Sequence, residues 1–255
     1  MVVNDRNVPA ADELRATFHG RVITRDDPQY DDARMVWNGM IDRRPLAIIR
    51  AADVDDMRAA IRLASERGLP LAIRGGGHNV AGNSTVDDGI VLDLGGLTAI
   101  EVDPDARTVQ AQPGATLGDL DRATEPFGLA VPVGVVSMTG IAGLTLGGGF
   151  GWLVRSHGLT VDNLIAADVM TADGEVVHAS ETENPDLLWG LKGGGGNFGV
   201  VTSFTFHAHP LASPIFGGNF IYERPRWGDA LRAFRDWTVE LDDRMTSIVT
   251  FLVPP

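Results

Sequence analysis

Three glycine clusters constrain this chain more than any other feature. Of its 31 glycines in 255 residues, those at 75–77, at 147–149 with Gly151, and at 193–196 with Gly199 are gathered rather than spread. Glycine weakens a helix or strand from within, so clusters set among apolar runs call for a reason. A linker would dilute its glycines with serine and proline. Here each cluster interrupts an apolar element, which points to backbone laid closely against a ligand.

The remaining composition allows a core of ordinary size, with 44% hydrophobic and 22% charged residues. The formal net charge of −13 argues against a nucleic-acid partner, whose binding rests on Lys and Arg set against phosphates. There is no cysteine, which excludes disulfides, thiolate metal sites and a thiol nucleophile. No apolar run follows a basic start at the N-terminus, and no stretch approaches the ~18 apolar residues of a membrane span. A cytoplasmic protein without a membrane partner is the default expectation.

Periodicity places the elements. A helix is predicted over 53–68, capped by Asp53, striped by Met57, Ile61 and Ala64, and ended by Gly68 before Pro70. Short strands are predicted at 69–73, 89–94 and 108–112. A second helix over 116–127 has Thr116 and Asp119 in capping positions. A hairpin pairs 166–170 with 175–179 through Ala172, Asp173 and Gly174; Pro185 opens a helix that Gly193 closes, and 200–206 reads as a strand. A boundary falls near His209, Pro210 and Leu211. Beyond it, strands are predicted at 216–222 and 248–253, around a helix whose apolar face is Trp227, Leu231, Phe234, Trp237 and Leu241. Some forty residues cannot close a sheet-and-helix layer alone, so this part is expected to be incomplete.

The sharpest chemical signal is the strand Leu71, Ala72, Ile73 running into Arg74, Gly75, Gly76, Gly77, His78 and Asn79. Consecutive glycines let several backbone N–H groups share one concavity, which suits a pyrophosphate. From the tripeptide alone, a glycine-rich turn that binds nothing accounts for the sequence equally well. Two familiar phosphate loops are excluded. No GxxxxGK[ST] occurs, and the GxGxxG at Gly194, Gly196 and Gly199 follows a helix and precedes a strand, the reverse of the dinucleotide fingerprint.

Four strings in order resemble the PCMH-type (p-cresol methylhydroxylase-like), berberine-bridge-enzyme-like flavoproteins of the vanillyl-alcohol oxidase superfamily. They are residues 30–38 with Arg44 and Pro45; residues 74–84, ending in Ala81, Gly82, Asn83 and Ser84; residues 139–164; and residues 184–210. The resemblance runs from about residue 20 to 211. It implies an α+β fold: a PCMH-type FAD-binding domain of two α/β subdomains over 41–211, an N-terminal helical segment over 1–40 packed on it, and the start of an antiparallel-sheet substrate domain over 212–255.

The resemblance also implies a site. The amides of Arg74, Gly75, Gly76, Gly77 and His78, with Asn79 and Ser84 close by, would cradle the FAD diphosphate. His78 would bond to the 8α-methyl of the flavin ring, for which a neutral imidazole is a competent nucleophile. Gly140, Gly143, Gly147 and Gly148 would lie along the flavin and ribityl chain, the backbone of Val200 would meet the adenine, and Thr139 and Asn163 would add polar contacts. Many members carry a second flavin link from a cysteine, but here Val136 stands in that place. Attachment is therefore expected to be single, as in relatives similar to 6-hydroxynicotine oxidase.

The function implied is an FAD-dependent oxidoreductase acting on a small alcohol, sugar or amine, with dioxygen reoxidising the flavin. A flavin-binding module without turnover of its own is the alternative, and a noncovalent reductase of the same fold is a third. No residue is assigned as catalytic base and none as metal ligand. His157, His207 and His209 are read as structural, and Trp227 and Trp237 as core residues of their helix.

Overall fold

The structure, a computed structural model, describes residues 10–211 and 215–252. The first part runs α1 (Ala11–Thr17), β1 (Arg21–Thr24), α2 (Tyr30–Arg34), β2 (Ala47–Arg50), α3 (Val54–Arg67), β3 (Leu71–Arg74) and β4 (Ile90–Asp93). Its sheet has the order β1-β2-β4-β3, with β1 antiparallel to β2 and the other pairs parallel. All four residues of β4 are buried, as expected of a parallel strand covered on both faces. Helix α3 forms as its sequence predicts. Asp53 accepts the Asp56 amide at 2.9 Å to cap the start, and Gly68 ends the helix in the left-handed region at φ 63°. Its buried face, Met57, Ala60, Ile61 and Ala64, packs on β2 and β4 residues Ile49, Ile90 and Leu92.

The second part runs β5 (Ile100–Asp103), β6 (Thr108–Ala111), α4 (Leu117–Thr124), β7 (Leu129–Ala130), α5 (Ile141–Leu146), α6 (Val154–His157), β8 (Leu164–Met170), β9 (Val176–Ser180), α7 (Pro185–Leu191), β10 (Val200–His207) and β11 (His209–Pro210). A five-stranded antiparallel sheet has the order β5-β6-β10-β8-β9, and β7 pairs with β11 separately. Alternate residues of β6 face inward onto Phe204 and Phe206 of β10 and Leu117 and Leu120 of α4. Thr116 and Asp119 form the expected capping box of α4.

The two sheets meet firmly at one edge. Met170, ending β8, and Val200, starting β10, are buried in the core of the first sheet, and Arg58 of α3 donates to the Gly174 carbonyl at 2.9 Å.

Three expectations are corrected. The segment before residue 41 is not purely a helical cover, because β1 lies between α1 and α2 and extends the first sheet through the register Val22↔Ile49 and Ile23↔Ile48. Val22 and Ile23 are fully buried there, a signal too short for periodicity to register. Beyond Leu211, no strand forms at 216–222 or over the described residues 248–252; Val253 lies outside the described residues. A strand needs a ladder partner, and none is present for these two segments among the described residues. Helix α8 (Trp227–Thr238) does form, but it buries no residue, so Trp227 and Trp237 are not core residues here.

This C-terminal stretch hangs on α6 through polar contacts. Arg155 donates to the carbonyls of Leu241 at 2.7 Å and Met245 at 3.0 Å and to the Asp243 carboxylate at 3.0 Å. Ser156 donates to Asp243 O at 2.7 Å, and Thr246 to Trp152 O at 2.6 Å.

Candidate flavin site

Strand β3 delivers the glycine loop to the seam between the sheets. Among the described residues, the amides of Gly75, Gly76, Gly77, His78 and Asn79 donate no hydrogen bond. Five successive N–H groups are thus left free of partners within the chain, on a loop that is half-buried to exposed, and such a run of amides can serve an anion. The Arg74 side chain turns the other way. It is 6% exposed and donates to Ala33 O at 2.6 Å and Ser84 O at 3.2 Å. Burial pulls its basicity down, and Asp93, 3.9 Å away, opposes this. The guanidinium thus ties α2 and the 77–85 loop to β3 through Nε and Nη1, while its Nη2 is buried with no hydrogen-bond partner among the described residues.

A second loop meets the first at glycine. A methyl carbon on Gly76 would fall on the Gly140 nitrogen and within 2.7 Å of its Cα; one on Gly140 would fall on the Gly76 nitrogen and within 2.8 Å of its Cα. Neither residue can carry a side chain while the loops keep this separation. Gly140 also precedes α5, and a methyl on Gly75 would touch Ala142 of α5 at 3.6 Å. Thr139 is half-buried and pinned through its backbone, its carbonyl accepting Leu117 N–H at 2.9 Å, and its hydroxyl has no partner among the described residues. Gly143, Gly147 and Gly148 follow on α5 and its end. Methyls on Gly143 and Gly148 would meet no atom within 4 Å, and Gly148 has φ 115°. A glycine inside a helix with open space where its side chain would stand has no packing reason to be glycine.

Buried hydroxyls adjoin the same loop. Ser84 and Thr85 are 6% and 1% exposed, and neither side-chain oxygen has a partner. Asn79 caps the loop's return, its Oδ1 accepting Asn83 N–H at 3.0 Å. The His78 imidazole is half-buried and stacks on Trp37, centroids 5.6 Å apart and planes at 20°. Unpaired amides, unpaired buried hydroxyls, open space over α5 and an imidazole beside them suit a dinucleotide flavin.

The structure gives two expected residues these surroundings. Asn163 is buried with its amide fully used, Nδ2 donating to His157 O and Leu159 O at 2.9 Å each and Oδ1 accepting from His209 Nε2 at 2.6 Å. It is a brace for the 157–163 turn and has no donor free for a cofactor. Val200 is buried in the core of the first sheet, and its main chain pairs with Met170. His157, His207 and His209 gather in one cluster, with ring centroids 3.9 Å and 4.7 Å from that of His209. Burial first, then the neighbouring His157, His207 and Arg107, lower the pKa of His209 to about 4.

Among the described residues, one group offers three metal-type ligands together, His19, Asp53 and Asp56. Asp56 already accepts the amides of His19, Gly20 and Ala52 at 2.8 Å each, and Asp53 caps α3. The group is a bracket between α1, β1 and α3. Sequence reasoning does not single out Trp37, which lies within the matching stretch 30–38. No local signal sets it apart, since its partner is 41 positions away. No helix is long and apolar enough to cross a membrane among the described residues.

Comparison with known proteins agrees with this geometry. The family described as FAD binding domain (FAD_binding_4) matches residues 45–180, just over half of the chain. The chain is 37% identical over 238 residues to the uncharacterized FAD-linked oxidoreductase YgaK of Bacillus subtilis, covering 91% of this chain and 52% of that protein. It is 34% identical to (R)-6-hydroxynicotine oxidase of Paenarthrobacter nicotinovorans, covering 93% and 51%. Among solved structures, 6-hydroxy-D-nicotine oxidase from Arthrobacter nicotinovorans superposes with a TM-score of 0.74 at 37% identity, covering 76% of this chain and 43% of that one. Xylooligosaccharide oxidase from Myceliophthora thermophila gives 0.73 at 36% identity, covering 79% and 43%. The chain spans about half the length of the curated relatives it matches. Matched family, fold and the glycine-lined seam together make this chain a member of the FAD-binding, PCMH-type family of berberine-bridge-enzyme-like oxidoreductases.

Proposed function

We propose that the protein is an FAD-dependent oxidase that takes hydride from a small organic substrate, an alcohol, sugar or amine, with FAD attached once through His78 and dioxygen as the final acceptor. The observation that carries this reading is the run of unpaired amides at 75–79 ending at His78, set against a second loop at a glycine-on-glycine contact. In this reading those amides and the Ser84 hydroxyl hold the diphosphate, each charge-assisted bond contributing about 1.5–3 kcal/mol. Gly140, Gly143, Gly147 and Gly148 admit the ribityl chain and ring, and the imidazole of His78 fixes the ring edge. FAD supplies two-electron acceptance; the chain supplies binding, orientation and a link that makes the flavin more oxidising. Val136, half exposed in the turn before Thr139, has an aliphatic side chain that cannot form a second bond. The substrate classes follow the nicotine and sugar oxidases to which the chain is similar.

Intact mass of the purified protein beside His78→Ala tests the attachment. A single FAD-sized increment in the first and none in the second is the expected result, and an unmodified wild-type mass with ordinary flavin uptake would refute the covalent link. Peroxide release on a panel of sugars, alcohols and amines tests the activity. A second reading, a flavin-binding module without turnover of its own, is favoured by the described residues 215–252, none of which is buried. Photoreducible flavin with no turnover on any panel member would decide for it.

A further inference from the structure

The loop that carries His78 is gripped from outside by a short strap. Residues 37–43, between α2 and β2, turn tightly, with Ile41 N–H donating to Asn38 O at 2.9 Å and Met40 N–H to Asn38 Oδ1 at 3.1 Å. The strap then holds the loop at successive points. Trp37 N–H donates to Gly77 O at 3.1 Å, Asn38 Nδ2 to Val80 O at 2.8 Å, and Arg43 to Thr85 O at 2.9 Å. Ile41 fills the space at Gly82, where a methyl would come within 2.8 Å of its Cγ2.

At the end of this strap the indole of Trp37 lies face-on to the His78 imidazole. The residue is 63% exposed, so its own burial does not explain a tryptophan there. Among the described residues His78 has no hydrogen-bond partner for its ring, and the stack is the contact that orients it. Centroids 5.6 Å apart with planes at 20° fall within the range of offset aromatic pairs. A cation held over an indole face within about 6 Å of its centre is attracted by the ring quadrupole.

Resting on the reading that His78 is the attachment residue, we propose that Trp37 is a positioning residue for flavin attachment. Its amide fixes the main chain beside His78, and its ring fixes the imidazole plane. In the attachment step one C–N bond forms, between an imidazole nitrogen and the 8α-methyl carbon. One methyl C–H bond and the imidazole N–H bond break; the C–H electron pair passes into the ring system, which takes up the two protons and is left reduced by two electrons. Dioxygen, taking those two electrons and two protons to give hydrogen peroxide, restores the oxidised form. Between C–N formation and loss of the N–H proton the imidazole is a cation, and the indole face stabilises it there. Trp37 thus acts on the rate of attachment and not on the grip of the diphosphate, which belongs to the amides of 75–79.

The test uses the whole chain prepared without flavin and then given FAD under air. Intact mass follows covalent attachment with time, and visible absorbance after gel filtration gives total bound flavin. Trp37→Ala is expected to attach FAD about tenfold more slowly than wild type while binding as much flavin. Trp37→Phe, which keeps a stacking face, should stay within about threefold, and Trp37→Leu should behave like Trp37→Ala. Attachment by Trp37→Ala or Trp37→Leu at the wild-type rate would overturn the proposal, as would Trp37→Phe as slow as Trp37→Leu. The phenylalanine and leucine variants keep the comparison alive if the alanine variant fails to fold. If wild type gains no mass, or His78→Ala does, it is the attachment reading that fails. In that event the His78 ring-proton resonance of the flavin-free chain still tests the stack. An equal shift in Trp37→Phe and Trp37→Leu removes the oriented pair, and an upfield position kept only with an aromatic residue retains it.

Discussion

Gly143 separates a structural glycine from a ligand-facing one, because the two roles predict opposite signs. It lies inside α5, and a methyl there would meet no atom within 4 Å. Glycine in a helix interior is about 0.8–1.0 kcal/mol less favourable than alanine. Gly143→Ala should therefore stabilise the flavin-free chain by up to about 1 kcal/mol, a rise in Tm of roughly 2–4 °C for a domain of this size. If the ribityl chain lies over α5, the same methyl overpacks the complex by about 1–3 kcal/mol, weakening FAD roughly 5- to 150-fold. The affinity measurement belongs on a His78→Ala background, where binding is reversible, with flavin fluorescence quenching as the readout. Stability should rise while affinity falls. Greater stability with unchanged affinity would refute the placement of the cofactor over α5. Gly76→Ala provides the contrast, since its methyl would fall on the Gly140 backbone and lower both quantities.

Three further outcomes are expected. Asp56→Ala strands the amides of His19, Gly20 and Ala52, which should lower stability by about 2–4 kcal/mol in urea unfolding; an unchanged midpoint would show that the bracket carries no load. Arg155→Ala removes the donor that holds residues 241–245, so limited proteolysis within 215–252 should become severalfold faster with flavin uptake unchanged, and an unaltered cleavage rate would contradict the docking. His209 has a folded pKa of about 4 against 6.5, so between these values the unfolded chain takes up a proton that the folded chain refuses. The stability it contributes is present above pH 6.5 and is lost as pH falls toward 4. His209→Gln keeps a donor for Asn163 but does not titrate, and should flatten that limb of the stability profile; the same slope in both proteins would refute the assignment.

Much of this architecture was legible because its signals are local. The Asp53 cap and the Gly68 terminator bracket α3 within one stretch, the Thr116 and Asp119 box starts α4, and Pro185 opens α7. The flavin loop was legible as a triple glycine ending in histidine after a strand. What escaped is what depends on distant partners. Strand β1 has four residues and owes its existence to pairing with β2, and the strap from Trp37 reaches a loop some forty positions on. Asn163 illustrates the opposite case. A buried amide beside a glycine loop is a reasonable ligand, until His157, Leu159 and His209 are seen to use all of its hydrogen-bonding groups. The strands expected after residue 215 had the right composition, but composition cannot supply a ladder partner.

The glycine clusters that weaken local structure are compensated elsewhere in the fold. Where the 74–79 and 139–143 loops cross, Gly76 and Gly140 meet backbone to backbone, and no side chain can lock the spacing. That spacing must be set from outside. Met170 and Val200 carry the second sheet into the core of the first, Arg58 bridges α3 to the β8–β9 turn, and the guanidinium of Arg74 ties the loop to α2 from behind. Rigid packing on both sides thus holds open a thin seam of bare backbone, which is the arrangement that lets amides face an anion without first having to reorganise. Propensity and packing agree in α3, α4 and the sheets, and the glycines at the seam are where they part.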